Sequence, residues 1–320
     1  MREIRVYFAD FHWLAEAVFK NILSKHYKLI FDDISPDFVF YSCFGYKHYK
    51  YKKSVKIYYT SENIIPDFNI CDYGIGFHYL SFEDRYLRFP LFLLYGWDSL
   101  EKIENKTLAK DEFLDRKFCN FIYSNSKIAD PIRTDFFHLL SKYKRVDSGG
   151  KYLNNIGEYV RDKMNFISNY KFTIAFENSS VVGYTTEKII EPMISKSIPI
   201  YWGNPLVEND FMSGSFINVN NFRSLEKAAE AIIQIDNDDN AYLEMLNHKK
   251  FVLENIKKYY ENKLESFLIN IIEQGKTLRR TQYGWAKCYQ RDQSRVAPVI
   301  DNYYWGKLIG GYEKILSIFR

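Results

Sequence analysis

Short apolar stretches alternate with amphipathic ones from the start of the chain, and this alternation restricts the fold more than any other feature. Ile4 to Phe8 reads as a strand and Trp13 to Ser24 as a helix. Pro36 to Ser42, with its run Phe38-Val39-Phe40, reads as a second strand, Val55 to Thr60 as a third, and Tyr73 to Gly76 opens a fourth. Strands separated by helices at this spacing predict an open α/β sheet with mostly parallel strands. The polar stretch Lys102 to Lys117 reads as a linker or domain crossing, after which the pattern resumes. Phe118 to Tyr123, Phe172 to Phe176, Ile198 to Tyr201 and Phe216 to Val219 read as strands. Helices are expected from about Pro131 to Lys142, from near Thr186, over Ser224 to Ile235 and over Ala241 to Asn262. A chain of 320 residues can hold two such units, each with its own core. The expected division is 1–112, 113–275 and a C-terminal tail, 276–320.

Composition excludes some classes. Apolar residues at 47% and charged residues at 26% describe a folded chain rather than a disordered one. With 44 basic against 40 acidic residues, the balance implies no nucleic-acid partner. The aromatic content, 18%, suits rings that stack on sugars and bases, and equally a core biased toward Tyr and Phe. Cys43, Cys71, Cys119 and Cys288 are scattered and suggest neither a metal cluster nor a disulfide framework, so a reducing compartment is expected. The start, MREIRVYFAD, enters a strand pattern at once, and no run approaches the roughly 18 apolar residues of a spanning helix. A cytoplasmic protein, or one peripheral at the inner face of the membrane, is the expectation.

Two basic and aromatic stretches stand apart. GYKHYKYKKSVKIYY (Gly45 to Tyr59) interleaves lysines with tyrosines, as single-strand nucleic-acid and anionic-lipid surfaces do, and as a solvated loop before a strand also can. The tail from about Gly275 carries KTLRR and ends in KLIGGYEKILSIFR. It suits either a membrane surface or packing back over the N-terminal half.

The chemistry concentrates in FTIAFENSSVVGYTTEKIIEPMISKSIPIYWGNP, Phe172 to Pro205. A strand ends at Glu177-Asn178, a loop with Gly183 follows, and Thr185 or Thr186 can cap a helix with Ile189, Ile190, Met193 and Ile194 on one face. Glu187 and Lys188 then fall in the first turn, where free N–H groups and a lysine favour a diphosphate and a carboxylate can accept from a ribose diol. Pro192 inside this helix predicts a kink or a short helix. No D-x-D triplet stands at a strand end in this half; the run Asp236 to Asp239 reads as a solvated turn between helices.

The string E-N-S-x(4)-Y-x-T-E-K-I-I followed by S-I-P-I-Y-W-G-N-P resembles the signature of the α-1,3/4-fucosyltransferase family, glycosyltransferase family 10, of bacterial type. Tyr58 to Phe77, Arg85 to Tyr95 and Phe118 to Asn155 resemble further blocks of that family in the same order. The resemblance implies a GT-B fold, two Rossmann-like domains facing a cleft; to this the chain's own amphipathic C-terminal run adds an expected helical tail. It implies inverting transfer of L-fucose from GDP-fucose to an N-acetylglucosamine or glucose unit, α-1,3 rather than α-1,4. An N-acetyllactosamine-like glycan or a surface-polysaccharide precursor would be the acceptor. Residue by residue, it makes Glu62 the general base, with Glu83 and Asp84 as nearby substitutes. Arg133, Asn178, Tyr184, Glu187 and Lys188 become donor contacts, Arg133 and Lys188 on the diphosphate and Glu187 on the ribose. It implies no required cofactor or metal, with Mn or Mg only stimulatory. His78 reads as a substrate contact or a structural histidine. The readings left beside this one are a GT-B transferase of another GDP-sugar and a non-catalytic glycan- or nucleotide-binding protein.

Overall fold

A computed structural model describes residues 1–103, 111–124 and 127–301. The chain forms two compact units. Of the described residues, the first holds Met1–Gly76, Leu80–Phe89 and the chain from Glu261 to Asp301; the second holds Phe77–Tyr79 and those within Pro90–Tyr260.

The first unit begins with β1 (Arg2–Ala9), α1 (Trp13–Ser24), β2 (Tyr27–Phe31), β3 (Phe38–Tyr41), β4 (Val55–Tyr59), β5 (Tyr73–Gly76) and β6 (Tyr86–Arg88). They build a six-stranded sheet in the order β2-β1-β3-β4-β5-β6, and every pairing is parallel. All residues of β3, β4 and β5 are buried, which suits strands interior to a parallel sheet. Edge strand β2 lacked a sequence signal because Lys28 interrupts it and most of it is solvated. The Tyr-Lys stretch before β4 is not simply a solvated loop. His48 and Tyr51 are buried, and the Tyr51 hydroxyl donates to the Asp33 carbonyl at 2.6 Å.

The second unit contains α2 (Leu91–Gly96), α3 (Leu100–Ile103), α4 (Asp111–Leu114), β7 (Lys117–Phe121), α5 (Ile132–Leu140), β8 (Val146–Ser148), α6 (Lys163–Ile167), β9 (Tyr170–Phe176), α7 (Glu187–Ile194), β10 (Ile198–Trp202), β11 (Ile217–Asn218), α8 (Leu225–Asp236) and α9 (Asp239–Asn247). Its five-stranded parallel sheet runs β11-β10-β9-β7-β8. Central β9 is buried throughout, and its carboxyl end, with that of β10, delivers the residues singled out above.

The helix expected over Ala241 to Asn262 is two helices, α9 and α10 (Ile256–Glu273). Between them Phe251 bridges to Phe211, and buried Lys250 donates to the Met245 and Leu246 carbonyls that end α9. Asp236 is not a solvated turn residue either: it is buried, paired with Lys144 and bonded by the Tyr143 hydroxyl. Asp238 caps α9 from the N–H groups of Asn240 and Ala241.

The unit boundaries do not fall at 112/113 and 275/276. Phe92 of α2 packs at a tilt against Phe211 with centroids 4.7 Å apart, and Gly96 leaves no room for a Cβ against Ile190 of α7. These contacts keep α2 with the second unit. Past Glu261 the chain is held by the first unit instead: Arg2 and Tyr27 bond Glu273, and Tyr73 meets Phe267 edge-on. The tail up to residue 301, including α11 (Gly284–Asp301), packs on this unit as well. Lys276 pairs with Asp37, Arg279 with Glu83 and Asp84, and Tyr289 with Asp67. The run from Lys307 to Arg320 lies outside the described residues.

The strongest tether is buried. Asp72, fully enclosed, accepts the N–H groups of Lys56, Arg279 and Arg280 and pairs with the Arg280 guanidinium, itself 3% exposed. Replacing Arg280 by Met leaves Asp72 charged and enclosed, and should cost about 3 kcal/mol or more. Urea denaturation of Arg280→Met beside the wild type measures this.

Candidate functional site

The site grows from the carboxyl end of β9. The Glu177 N–H donates to the Trp202 carbonyl at 2.8 Å, which keeps β9 paired with β10 to its last residue. The Glu177 carboxylate is fully buried and turns to the start of α7, accepting from the Thr186 N–H at 2.8 Å and from the Thr186 hydroxyl at 2.8 Å. Thr186 is the N-cap of α7, and its side-chain oxygen faces the Lys188 N–H. The expected cap is therefore present, tied down by a buried acid.

Lys188 completes the cluster. Its Nζ lies 3.1 Å from Thr186 Oγ1, 3.2 Å from Glu187 Oε1 and 3.3 Å from Glu177 Oε2. Burial works against its charge, yet Glu177 and Glu187 outweigh this and raise its pKa well above the ordinary lysine value. Burial raises the Glu177 pKa, with Lys188 pulling the other way. In Glu187 burial also pushes up, but Lys188 and Lys163 bring the carboxyl below its usual value. The Glu187 side chain is 24% exposed against 0% for Glu177, so Glu187 is the carboxylate that a ligand can reach.

Pro192 lies within α7, which ends two residues later rather than kinking. Lys196 takes the left-handed conformation with φ +59. The Lys196 N–H bonds the Met193 carbonyl and the Ser197 N–H the Pro192 carbonyl, a Schellman closure.

Arg133, near the start of α5, is 2% exposed rather than a surface arginine. Its Nη2 donates to the Phe176 carbonyl at 2.9 Å and to Asn178 Oδ1 at 2.8 Å, and its guanidinium lies 4.0 Å from the Tyr123 ring centroid. It thus grips the same strand end that carries Glu177. Tyr184 is buried against Phe77, with ring centroids 5.4 Å apart. His78 stacks on Phe77 at 4.0 Å, and burial lowers its pKa.

The loop between Asn178 and Tyr184 is held by residues that sequence reasoning did not single out. Asn204, fully buried, accepts from the Gly183 N–H at 2.8 Å and donates to Thr185 Oγ1 at 3.0 Å. Its signal was the Gly-Asn-Pro turn after β10. Gly183 has φ +87, and a Cβ there would lie 2.6 Å from the Phe77 carbonyl oxygen. Glu177 was readable only as a strand-end residue, because nothing in the sequence says that it faces Thr186.

Glu62 belongs to the first unit, in the loop that follows β4. Its N–H donates to Thr60 Oγ1 at 3.1 Å and its carbonyl accepts from the Ile64 N–H, while its side chain is exposed. His12, just before α1, is its electrostatic neighbour: burial lowers the imidazole pKa and the Glu62 charge opposes that. The sequence offered no signal for this pairing. Glu83 and Asp84, the suggested substitutes, are held by Arg279, which lowers the Asp84 pKa. Among the described residues no three His, Cys, Asp or Glu side chains gather as a metal site. Nor is any described helix long and apolar enough to cross a membrane.

Comparison with known proteins identifies this architecture. A solved alpha1,3-fucosyltransferase matches 88% of this chain and 93% of its own, at 30% identity and a TM-score of 0.76. Structures described as alpha1,3-fucosyltransferase with GDP and with GDP-fucose match with TM-scores of 0.74 and 0.69, at 31% and 30% identity. The former covers 87% of this chain and 92% of its own, the latter 85% and 91%. The two parallel-sheet units are those of the GT-B fold. The model of the alpha-(1,3)-fucosyltransferase FucT N-terminal domain matches residues 6–95, and that of the glycosyltransferase family 10 (fucosyltransferase) C-terminal region matches residues 95–290. The alpha-(1,3)-fucosyltransferase FucT of Helicobacter pylori is 35% identical over 259 residues, 70% of this chain and 54% of that protein. The chain belongs to glycosyltransferase family 10, and it spans about half the length, or less, of the curated relatives it matches first.

Two glycines separate loop closure from backbone strain. Gly157 has φ +86 with nothing within 4 Å of an added Cβ, whereas Gly183 has both the positive φ and the Phe77 carbonyl. Gly157→Ala should cost about 1 kcal/mol from conformation alone. Gly183→Ala should cost clearly more, read as a larger fall in melting temperature.

Proposed function

We propose that this chain is an inverting α-1,3-fucosyltransferase, moving L-fucose from GDP-fucose to a hydroxyl of an N-acetylglucosamine or glucose unit in a glycan. The observation that carries the reading is the Lys188 cluster at the start of α7, within a chain of family 10. In this reading the departing diphosphate takes its countercharge from Lys188 and Arg133, since guanidinium and ammonium groups make the stronger, charge-assisted bonds to phosphate. Glu187, the accessible carboxylate, turns to the ribose diol. That releases Lys188 toward phosphate while Glu177 holds the helix start in place. With its Oδ1 taken by Arg133, Asn178 offers its amide N–H groups to the donor, and Tyr184 lies beside it. No cofactor is required in this scheme, and Mn or Mg acts only as a stimulant.

Glu62 acts as the base. It removes the proton of the acceptor hydroxyl as that oxygen bonds to the fucose anomeric carbon. The bond from this carbon to the β-phosphate oxygen breaks, GDP leaves with the electron pair, and the configuration inverts. The acceptor expected is an N-acetyllactosamine-like glycan or a surface-polysaccharide precursor.

The test is transfer to N-acetyllactosamine from GDP-fucose and, separately, from GDP-mannose. Transfer from GDP-fucose alone is expected, and a preference for GDP-mannose overturns the donor assignment. Glu62→Gln should lower kcat by about 100-fold or more with GDP affinity unchanged; near-wild-type turnover would remove Glu62 as the base. By calorimetry, Lys188→Ala and Arg133→Ala should each weaken GDP binding by about tenfold or more. Unchanged affinity would remove them from the donor site. Lys188→Ala strips Glu177 of its buried partner, so Lys188→Arg and the melting temperatures are measured alongside.

A further inference from the structure

A cavity of about 880 Å³ opens in the first unit, between the stretch preceding β4 and α11. It brings together the two basic and aromatic stretches that stand apart in the sequence. Lys52, Lys53 and Lys56 line it from the first, and Arg280, Lys287 and Arg291 from the second. Among the described residues no Asp or Glu lines it. Two of the six cations have acids of their own, Arg280 with Asp72 and Arg291 with Asp292.

Lys56 is the informative residue. It is only 5% exposed and lines the cavity, yet among the described residues its ammonium reaches no carboxylate within ion-pair distance and no hydrogen-bond acceptor. It stands 5.6 Å from the Tyr49 ring centroid. A buried cation without a counter-ion is costly, and the usual escape is a lowered pKa. Burial and the neighbouring Arg280 push the Lys56 ammonium down to about 7, with Asp72 and Cys71 partly opposing. Lys52 adds to the lowering, and burial, with the Lys56 charge second, pushes His48 down to about 3. The volume lies within the about 300–1,000 Å³ of small-molecule sites, so there is room for more than a lone ion.

This cavity is distinct from the position of the proposed base. Lys56 is near the amino end of β4, whereas Glu62 follows its carboxyl end. At about 3.3 Å per residue the strand alone separates the two ends by roughly 15 Å. Ligands of open α/β sheets ordinarily sit at the carboxyl ends, so the catalytic reading does not account for cations gathered here.

We infer that this cavity binds a phosphate-bearing ligand, a phosphomonoester or diphosphate. Lys56 is its buried counter-charge, and Lys52, Lys53, Lys287 and Arg291 surround the remaining oxygens. The four lysines, none paired with an acid among the described residues, match a group of two or more negative charges better than a single carboxylate. Trp285, exposed at the cavity wall, offers a ring to the body that carries the phosphate. A soluble sugar or nucleoside phosphate and a lipid headgroup share this chemistry.

The test compares the full chain with Lys56→Met and with Lys287→Gln/Arg291→Gln, using inorganic pyrophosphate in calorimetry with GDP held in excess. The same proteins are then sedimented with phosphatidylcholine vesicles with and without phosphatidic acid. Lys56→Met replaces an uncompensated buried cation by an apolar group of similar length, so it should fold at least as well as the wild type. The double variant changes cavity-wall charges and guards against a folding failure. Pyrophosphate should bind the wild type and lose about tenfold or more in affinity in both variants. Loss of vesicle sedimentation in the same variants identifies a lipid headgroup, and pyrophosphate binding without sedimentation identifies a soluble ester. If neither probe separates the wild type from Lys56→Met, the inference is overturned. The reading does not depend on the donor site, because all three proteins share the same second unit and their GDP affinities serve as the control.

Discussion

A buried carboxylate organises the second unit. Glu177 leaves the central strand with no exposed surface and takes up two groups of Thr186 and the charge of Lys188. An enclosed carboxylate is tolerated only when it is hydrogen-bonded and paired, so strand end, helix cap and lysine must form together. Once they do, the other polar contacts have a frame. Asn204 closes the loop through Gly183 and Thr185, and Arg133 holds the same strand end through Phe176 and Asn178. The cluster pairs Lys188 with both acids before any ligand arrives, and Glu187 is its more exposed carboxylate.

The first unit repeats the device with a different partner. Asp72 precedes β5, accepts from the nearby Lys56 N–H, and joins Arg279 and Arg280 through bonds that span more than two hundred positions in the chain. This makes a basic, aromatic tail part of a folded unit as far as α11. It also explains the crowding of cations along one wall: Arg280 is consumed by Asp72, and Lys56 is buried beside it without an acid of its own.

The family and the local frame of the candidate donor site were legible because they reside in contiguous strings. The block around Glu177 to Pro205 places a strand end, a cap and an acid-base pair in order, and a helix start constrains their chemistry locally. The first-unit strands Phe38 to Tyr41, Val55 to Tyr59 and Tyr73 to Gly76 were legible for a similar reason, since interior parallel strands are apolar on both faces. Solvated edge strand β2 was not. The break between α9 and α10 was equally hidden, because it rests on Phe251 meeting Phe211 and on Lys250 reaching carbonyls behind it.

The sequence by itself determined the α/β class, the parallel strands and the capped start of α7, because periodicity and helix capping act over a few neighbouring positions. Only the tertiary structure decided that Glu177 is the buried partner of Thr186 and Lys188, that Arg133 is enclosed, and that His12 lies within the electrostatic reach of Glu62. It also decided that the described chain from Glu261 to Asp301 belongs with the first unit. Burial and charge pairing depend on which distant segments meet, and a one-dimensional pattern carries no record of that.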